Sequence, residues 1–427
     1  MVAFTTMGTS IVASIFFIAL VLILGQVFSA TFQKTRVPDA LPLMIIGLIV
    51  GPMFHLVEPE HFGRLDRIFT ELVLIIIMFR SGAALRFHSL RESIGQGLIF
   101  TVAAIAAVII LTFWISRAAL GLSPVYAILL GNIIADNSLV VVAPLLSKLN
   151  ISDRMKTILV IEGSVSSIIN VVLVLALLNM SQQASFSASA VFGKMIYSFL
   201  VASVIGILAG FFWSLILNRI RQLENANSLS FAFILLVYAV CGLFKSEGAI
   251  GVLMFGLTIG NMRVLNKFWN KTNSIEALYF NLEEKSFFLE TEYILKTLFF
   301  VYMGISMRFS SAGFIILGLI FMIIKIVSRI PVVNYIFSKD IDRTDASIAL
   351  AMCPNGLVTA VLAATAAQTL SDPSGIRDSV YSLIFFSFIF CAVLSFLIEK
   401  GYFNKASDNL FARHKKREET SAANVIP

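Results

Sequence analysis

Asn132-Ile133-Ile134-Ala135-Asp136-Asn137-Ser138-Leu139-Val140-Val141-Val142-Ala143-Pro144 sets three consecutive polar residues, one of them an acid, in the middle of an apolar stretch covering about 123–146. About 20 apolar residues suffice for a helix to cross the hydrocarbon core of a bilayer, so the stretch reads as a membrane span with its carboxylate near the midplane. The polar centre and Pro144 both weaken a continuous helix, and the span is expected to be interrupted there. A second such place lies far along the chain. Met352-Cys353-Pro354-Asn355-Gly356-Leu357-Val358 falls near the middle of another apolar stretch, about 344–369.

Working outward from these two, about thirteen stretches are long and apolar enough to cross. They cover roughly 8–32, 38–56, 68–85, 95–117, 123–146, 157–180, 190–217, 228–244, 247–261, 288–306, 312–337, 344–369 and 378–399. With 58% hydrophobic and 13% charged residues among 427, the composition excludes an ordinary soluble domain, in which roughly a quarter of residues are charged. Runs such as Phe314 to Ile324 do not alternate, which excludes a β-barrel. The expected fold class is an all-α polytopic membrane protein of about 13 transmembrane helices. The first run, about Ser10 to Phe32, is too long for a cleaved leader and has no basic stretch before it, so it reads as a span.

The net charge of +7 is spread over short loops and a tail, where it orients spans, and no nucleic-acid partner is expected. Cys241, Cys353 and Cys391 lie inside apolar runs, and His55, His61, His88 and His414 lie in loops or the tail. Neither a disulfide framework nor a metal or other cofactor is indicated. With no nucleophile–base pair and no phosphate loop, the chain does not read as an enzyme.

Loop charge assigns the sides. One alternate set of loops carries Lys34 and Arg36; Arg86 and Arg91; Lys148, Arg154 and Lys156; Arg219 and Arg221; Arg263, Lys267 and Lys271; and Lys339 and Arg343. By the positive-inside rule this set is cytoplasmic, with the N-terminus outside and the C-terminus inside. A repeat accompanies it. Gly47-Leu48-Ile49-Val50-Gly51-Pro52-Met53 ends the second span and Gly256-Leu257-Thr258-Ile259-Gly260-Asn261-Met262 ends the ninth. Seven spans apart, the two copies cross in opposite directions. Inverted repeats with paired interrupted helices are the architecture of many secondary transporters, with the site at the crossing.

Ionisable residues inside spans need a partner or a function. Glu162 and Arg329 come to one depth from the cytoplasmic ends of their spans, and an ion pair between them satisfies both. Asp136 lies at the midplane, as do Ser166 and Ser167, and Lys325 approaches that level one turn from Arg329. Arg80 is expected to snorkel to the cytoplasmic surface, an exit also open to Lys325 and Arg329.

Taken together, the chain resembles the cation/proton antiporter superfamily, the sodium/proton exchangers and their bacterial and archaeal relatives. The likeness rests on Val37-Pro38-Asp39-Ala40-Leu41-Pro42 leading to Gly47 and Gly51-Pro52, and on Glu247-Gly248-Ala249-Ile250-Gly251 leading to Gly260-Asn261. It rests also on Phe299-Phe300-Val301-Tyr302-Met303-Gly304-Ile305 and on the crossing segment Met352 to Val358. The resemblance implies a Glu162–Arg329 pair. It also implies a Thr-Asp pair, which falls here on Asn137 and Ser138 (or reaches Asp136 with a two-residue shift), and an ion-binding Asn-Asp pair, which falls on Ser166 and Ser167. Asn355 stands where the family's twelfth span has arginine. The resemblance further implies a homodimer in the plasma (inner) membrane of a prokaryote. Core helices would cover about 68–180 and 288–399 and scaffold helices about 8–56 and 190–261, followed by a short basic cytoplasmic tail at 401–427.

The expected ion- or proton-binding group is therefore Asp136, Asn137, Ser138, Ser166 and Ser167, with Pro144, Lys325, Pro354, Asn355 and Gly356 as crossing-helix and auxiliary residues. Three functions follow: exchange of Na+ or K+ for H+, transport of an anion or small neutral solute on the same scaffold, or a non-transporting partner protein. Asn266 to Lys285 reads as an amphipathic connector or as a solvated loop.

Overall fold

A computed structural model of the chain describes residues 2–35, 40–57, 65–84, 94–146, 149, 151–181, 188–220, 226–262, 282–307, 312–337, 341–370 and 375–414. Every apolar stretch read from the sequence carries a helix or a pair of half-helices. These are α1 Val2–Thr35, α2 Ala40–Leu48 with a π-helical turn at Ile49–Met53, α3 Leu65–Ala84, α4 Ile94–Leu120 and α5 Pro124–Ala135. After them come α6 Leu139–Leu146, α7 Asp153–Ser181, α8 Ala188–Ile220, α9 Ala226–Leu243 and α10 Gly248–Gly260. The chain continues with α11 Leu282–Ser306, α12 Ala312–Ile336, α13 Arg343–Ala351, α14 Leu357–Leu370, α15 Ile376–Glu399 and α16 Asn404–Leu410. Among the described residues, six helices are long and apolar enough to cross a membrane whole.

Polarity is inverted relative to a soluble protein. Phe16, Ile23, Ile99, Trp114, Leu208 and Leu215 stand exposed, while Asn132, Asp136, Glu162, Lys325 and Arg329 are buried. Such a surface is solvated by lipid, and the polar groups are left to satisfy one another inside.

The glycine repeat has a packing cause. A Cβ on Gly47 would strike the main-chain oxygen of Val301 in α11, and one on Gly304 would strike that of Met44 in α2. In the other copy, a Cβ on Gly256 would strike the Phe79 oxygen in α3, and one on Gly82 that of Leu253 in α10. Thus α2 docks on α11 as α10 docks on α3, two backbone-to-backbone seams related by the repeat. Both seams run across the core and scaffold divisions drawn at 68 and 288. Gly256→Ala is expected to destabilise by roughly 1–3 kcal/mol, since backbone must give way. Gly242→Ala in α9, where nothing lies within 4 Å, should be neutral or stabilising; thermal melts of the detergent-purified variants check the contrast.

Some expectations change. Pro144 lies inside α6 rather than at an interruption; the break falls earlier, at Asp136–Ser138. What ends α5 is replacement of its backbone partners: the Asn137 N–H donates to Ser166 Oγ at 3.3 Å and the Ser138 N–H to the Pro354 oxygen at 2.8 Å. The tail is not wholly free either. Asn334 Nδ2 donates to the Leu410 oxygen at 2.9 Å, Arg343 pairs with Asp408, and Phe411 is fully buried, so 401–414 folds back under α12 and α13. Of the connector at 266–285, residues 282–285 form the first turn of α11, and the rest lies outside the described residues. Of the orienting basic residues, Arg36, Arg86, Arg91, Lys148, Arg221, Arg263, Lys267, Lys271 and Lys339 also lie outside them.

Candidate functional site: two crossing helix breaks around Asp136

The two interruptions meet. Besides the Ser138-to-Pro354 backbone bond, a Cβ on Gly356 would collide with the Ser138 side chain, so only glycine lets the segments cross this closely. Asn355 ties them further. Its amide donates to the main-chain oxygens of Ile134 (3.0 Å) and Asp136 (2.9 Å), carbonyls that α5 leaves unpaired where it stops. Lys325 Nζ donates to the same Asp136 oxygen at 2.6 Å and to Asn355 Oδ1 at 2.7 Å, a cation at the negative end of a half-helix.

The Asp136 carboxylate faces the other way. Oδ1 accepts from Ser167 Oγ at 2.7 Å and Oδ2 from Thr359 Oγ1 at 2.8 Å, and the residue is wholly buried. Thr359 stands in the first turn of α14, so the acid sits at a half-helix N-terminus, where negative charge is favoured. A cavity of about 420 Å³ reaches Asp136, Ser138 and Ser167. Its walls come from α5–α7 and α14 on one side and from Ala40 of α2, Arg80 of α3 and Glu292 of α11 on the other.

A second cluster lies beside the first. Glu162 and Arg329 are buried and bidentate, Nη2 to Oε2 at 2.6 Å with Nη1 on Oε1. Arg329 Nε donates to the Ala349 oxygen at 2.6 Å, and its guanidinium lies 4.8 Å from the Phe100 ring centroid. Asn137 Nδ2 donates to Glu162 Oε1 at 2.7 Å, so its side chain belongs to this pair rather than to the Asp136 carboxylate. Ser166 likewise serves backbone, bonding the N–H and oxygen of Asn137. Of the five residues grouped from sequence, the structure joins Asp136 and Ser167 at the carboxylate and places Ser138 on the cavity wall. Arg80, its side chain 27% exposed, pairs with Glu292, Nε to Oε2 at 2.7 Å, at the cavity wall. Lys325 and Arg329 are not surface anchors, because both are buried and bonded inside.

The family model described as sodium/hydrogen exchanger, transmembrane, matches residues 5–400. The chain belongs to the sodium/hydrogen exchanger family. Its fold is that of the sodium proton antiporter MjNhaP1 from Methanocaldococcus jannaschii, at a TM-score of 0.73 and 18% identity over 94% of this chain and 99% of that one. An electron-microscopy structure of the same antiporter aligns at a TM-score of 0.67 and 19% identity, covering 95% and 99%. The protein is thus a multi-pass membrane transporter of the exchanger family and not an enzyme.

Sequence reading of this exchanger missed Thr359. Its signal was available: a hydroxyl four residues past Asn355 returns to the same helix face one turn beyond a break. Glu292 was missed too, because it reads as the polar end of a span until α3 is placed against α11.

Proposed function

We propose that the protein exchanges a monovalent cation, Na+ or K+, for protons by alternating access, with Asp136 holding either one. The observation that carries this reading is the Asp136 carboxylate, bonded by two hydroxyls and reached by the cavity. A single negative charge there is neutralised by a cation or a proton but not by both, and that competition is exchange. Ser167 and Thr359 supply neutral oxygens that can turn their lone pairs to a bare cation. The charge pattern supports it. Where the family pattern calls for an acid at Ser167 and an arginine at Asn355, the acid comes from Asp136, bonded to Ser167, and the cation from Lys325, bonded to Asn355. Both charges are supplied by neighbouring elements rather than lost, which leaves neither buried alone.

The moving part in this reading is the bundle α4–α7 with α12–α15, which carries both breaks. It works against a scaffold of α1–α3 and α8–α11 held together by the glycine seams. The cavity lies between the two. In the orientation given by loop charge, it opens to the cytoplasm of a prokaryotic cell, and the scaffold supplies the contact of a homodimer. An anion cargo is less well supported, since Lys325 and Arg329 are committed to internal acceptors.

Purified protein in liposomes carrying a trapped pH indicator tests the reading. A Na+ or K+ gradient is expected to drive opposite proton movement, with an apparent cation KM that rises toward about tenfold for each unit the pH falls, where protons compete. Proton movement driven by anion gradients alone would overturn it.

A further inference from the structure

Asn132 of α5 and Asn170 of α7 are both 0% exposed. Asn132 Nδ2 donates to the Asn170 main-chain oxygen at 3.3 Å. Asn132 Oδ1 and both amide atoms of Asn170 have no protein partner among the described residues. Native interiors rarely leave such groups unsatisfied, and those that persist mark a bound ion, bound water or a functional need. Two wholly buried amides on helices that meet at Asn132 and the Asn170 main chain, with three open positions between them, are therefore not there for packing. Leucines of similar volume would fill the same space without the desolvation penalty.

Their place relative to Asp136 gives them a use. Asp136 meets Ser167, and Asn132 meets Asn170, so falling numbers on α5 pair with rising numbers on α7 and the two helices run antiparallel here. The cavity touches this seam at Asp136, Ser138, Leu139 and Val141 on one chain segment and at Gly163, Ser164 and Ser167 on the other, but at neither asparagine. The amide pair thus lies one turn beyond the carboxylate, about 6 Å at the ~1.5 Å rise per residue, on the side away from the cavity. That is the side on which exchange by alternating access must discharge what it took in.

We infer that Asn132 and Asn170 form a second polar station, holding water that rehydrates the monovalent cation as it leaves Asp136 on the far side. The inference rests on the exchange reading above. Amide oxygens are neutral ligands that accept from water or touch an alkali cation, and the amide N–H groups donate to water oxygen, so a partly hydrated cation finds both. A carboxylate here would hold the ion; two amides let it pass.

The test compares four proteins in liposomes: wild type, Asp136→Asn, Asn132→Leu/Asn170→Leu, and Asn132→Ser/Asn170→Ser. The double leucine variant is expected to fold with an unchanged or raised melting temperature and to keep its thermal stabilisation by Na+ or K+. Its turnover should fall about tenfold, the equivalent of losing one good hydrogen bond to a charged species in the transit state. The double serine variant, which keeps hydroxyls and leaves room for more water, should recover most of the rate. Wild-type turnover in the leucine variant would overturn the station while leaving Asp136 in place. Loss of cation stabilisation together with the rate would also overturn it, by showing that the pair only shapes the carboxylate site. No exchange by the wild type would instead remove the reading on which the station stands.

Discussion

Asp136→Asn is expected to leave the protein folded and to lower cation-driven proton movement by about 100-fold or more, since a hydrogen-bonded buried charge is worth ~3 kcal/mol to its ligand. The asparagine amide has the shape of the carboxylate. Ser167 and Thr359 hydroxyls, which now donate to Oδ1 and Oδ2 at 2.7 and 2.8 Å, can rotate so that one of them accepts from the new N–H. Lys325 and Asn355 hold the main-chain oxygen of Asp136, not its side chain, and keep their partner whatever the side chain is. The crossing therefore survives the substitution and the titratable charge does not. Melting temperature and gradient-driven pH change, measured on one preparation, separate these effects. Exchange at the wild-type rate would assign the titrating group elsewhere.

Breaking the Glu162–Arg329 pair is expected to act on stability first. Glu162→Ala or Arg329→Ala strands an ion in an interior where both residues are buried, and removing one partner of such a pair costs about 3–5 kcal/mol. The loss reaches beyond α7 and α12, which carry the pair. Arg329 bonds the Ala349 oxygen at the end of α13, and Glu162 holds Asn137 just past the end of α5. Both interruptions are thus tied to this pair, and either single variant should show a clearly lower melting temperature and impaired exchange. Glu162→Gln combined with Arg329→Met removes both charges and should restore much of the stability, because neither ion is left alone. A double variant as unstable as the singles would show that the hydrogen bonds, not the charge balance, hold the breaks.

The two breaks were legible to different degrees. Pro354-Asn355-Gly356 carries its own cause in its residue types, and the chain does leave the helix between Ala351 and Leu357. The first break was expected near polar residues and Pro144, yet the proline is helical and the interruption lies at Asp136–Ser138. A helix can stop wherever its backbone finds other partners. Those partners here, Ser166 and Pro354, are supplied by a helix and by the other break, which local sequence does not identify.

Residue type and spacing alone determined the spans, because apolar length is a property of one segment and lipid makes one demand of it. They also determined the glycine repeat, since a small residue every fourth position marks a close seam, and the placement of Asp136 in the middle of an apolar span. Only tertiary structure decided that Gly47 meets Gly304 and Gly256 meets Phe79, that Arg80 finds Glu292, and that Asn137 turns to Glu162 while Thr359 turns to Asp136. Each of these is a contact between residues far apart in the chain. Hydrogen bonds and ion pairs reach only a few ångströms, so which groups satisfy one another depends on how the helices are placed and not on any stretch read by itself.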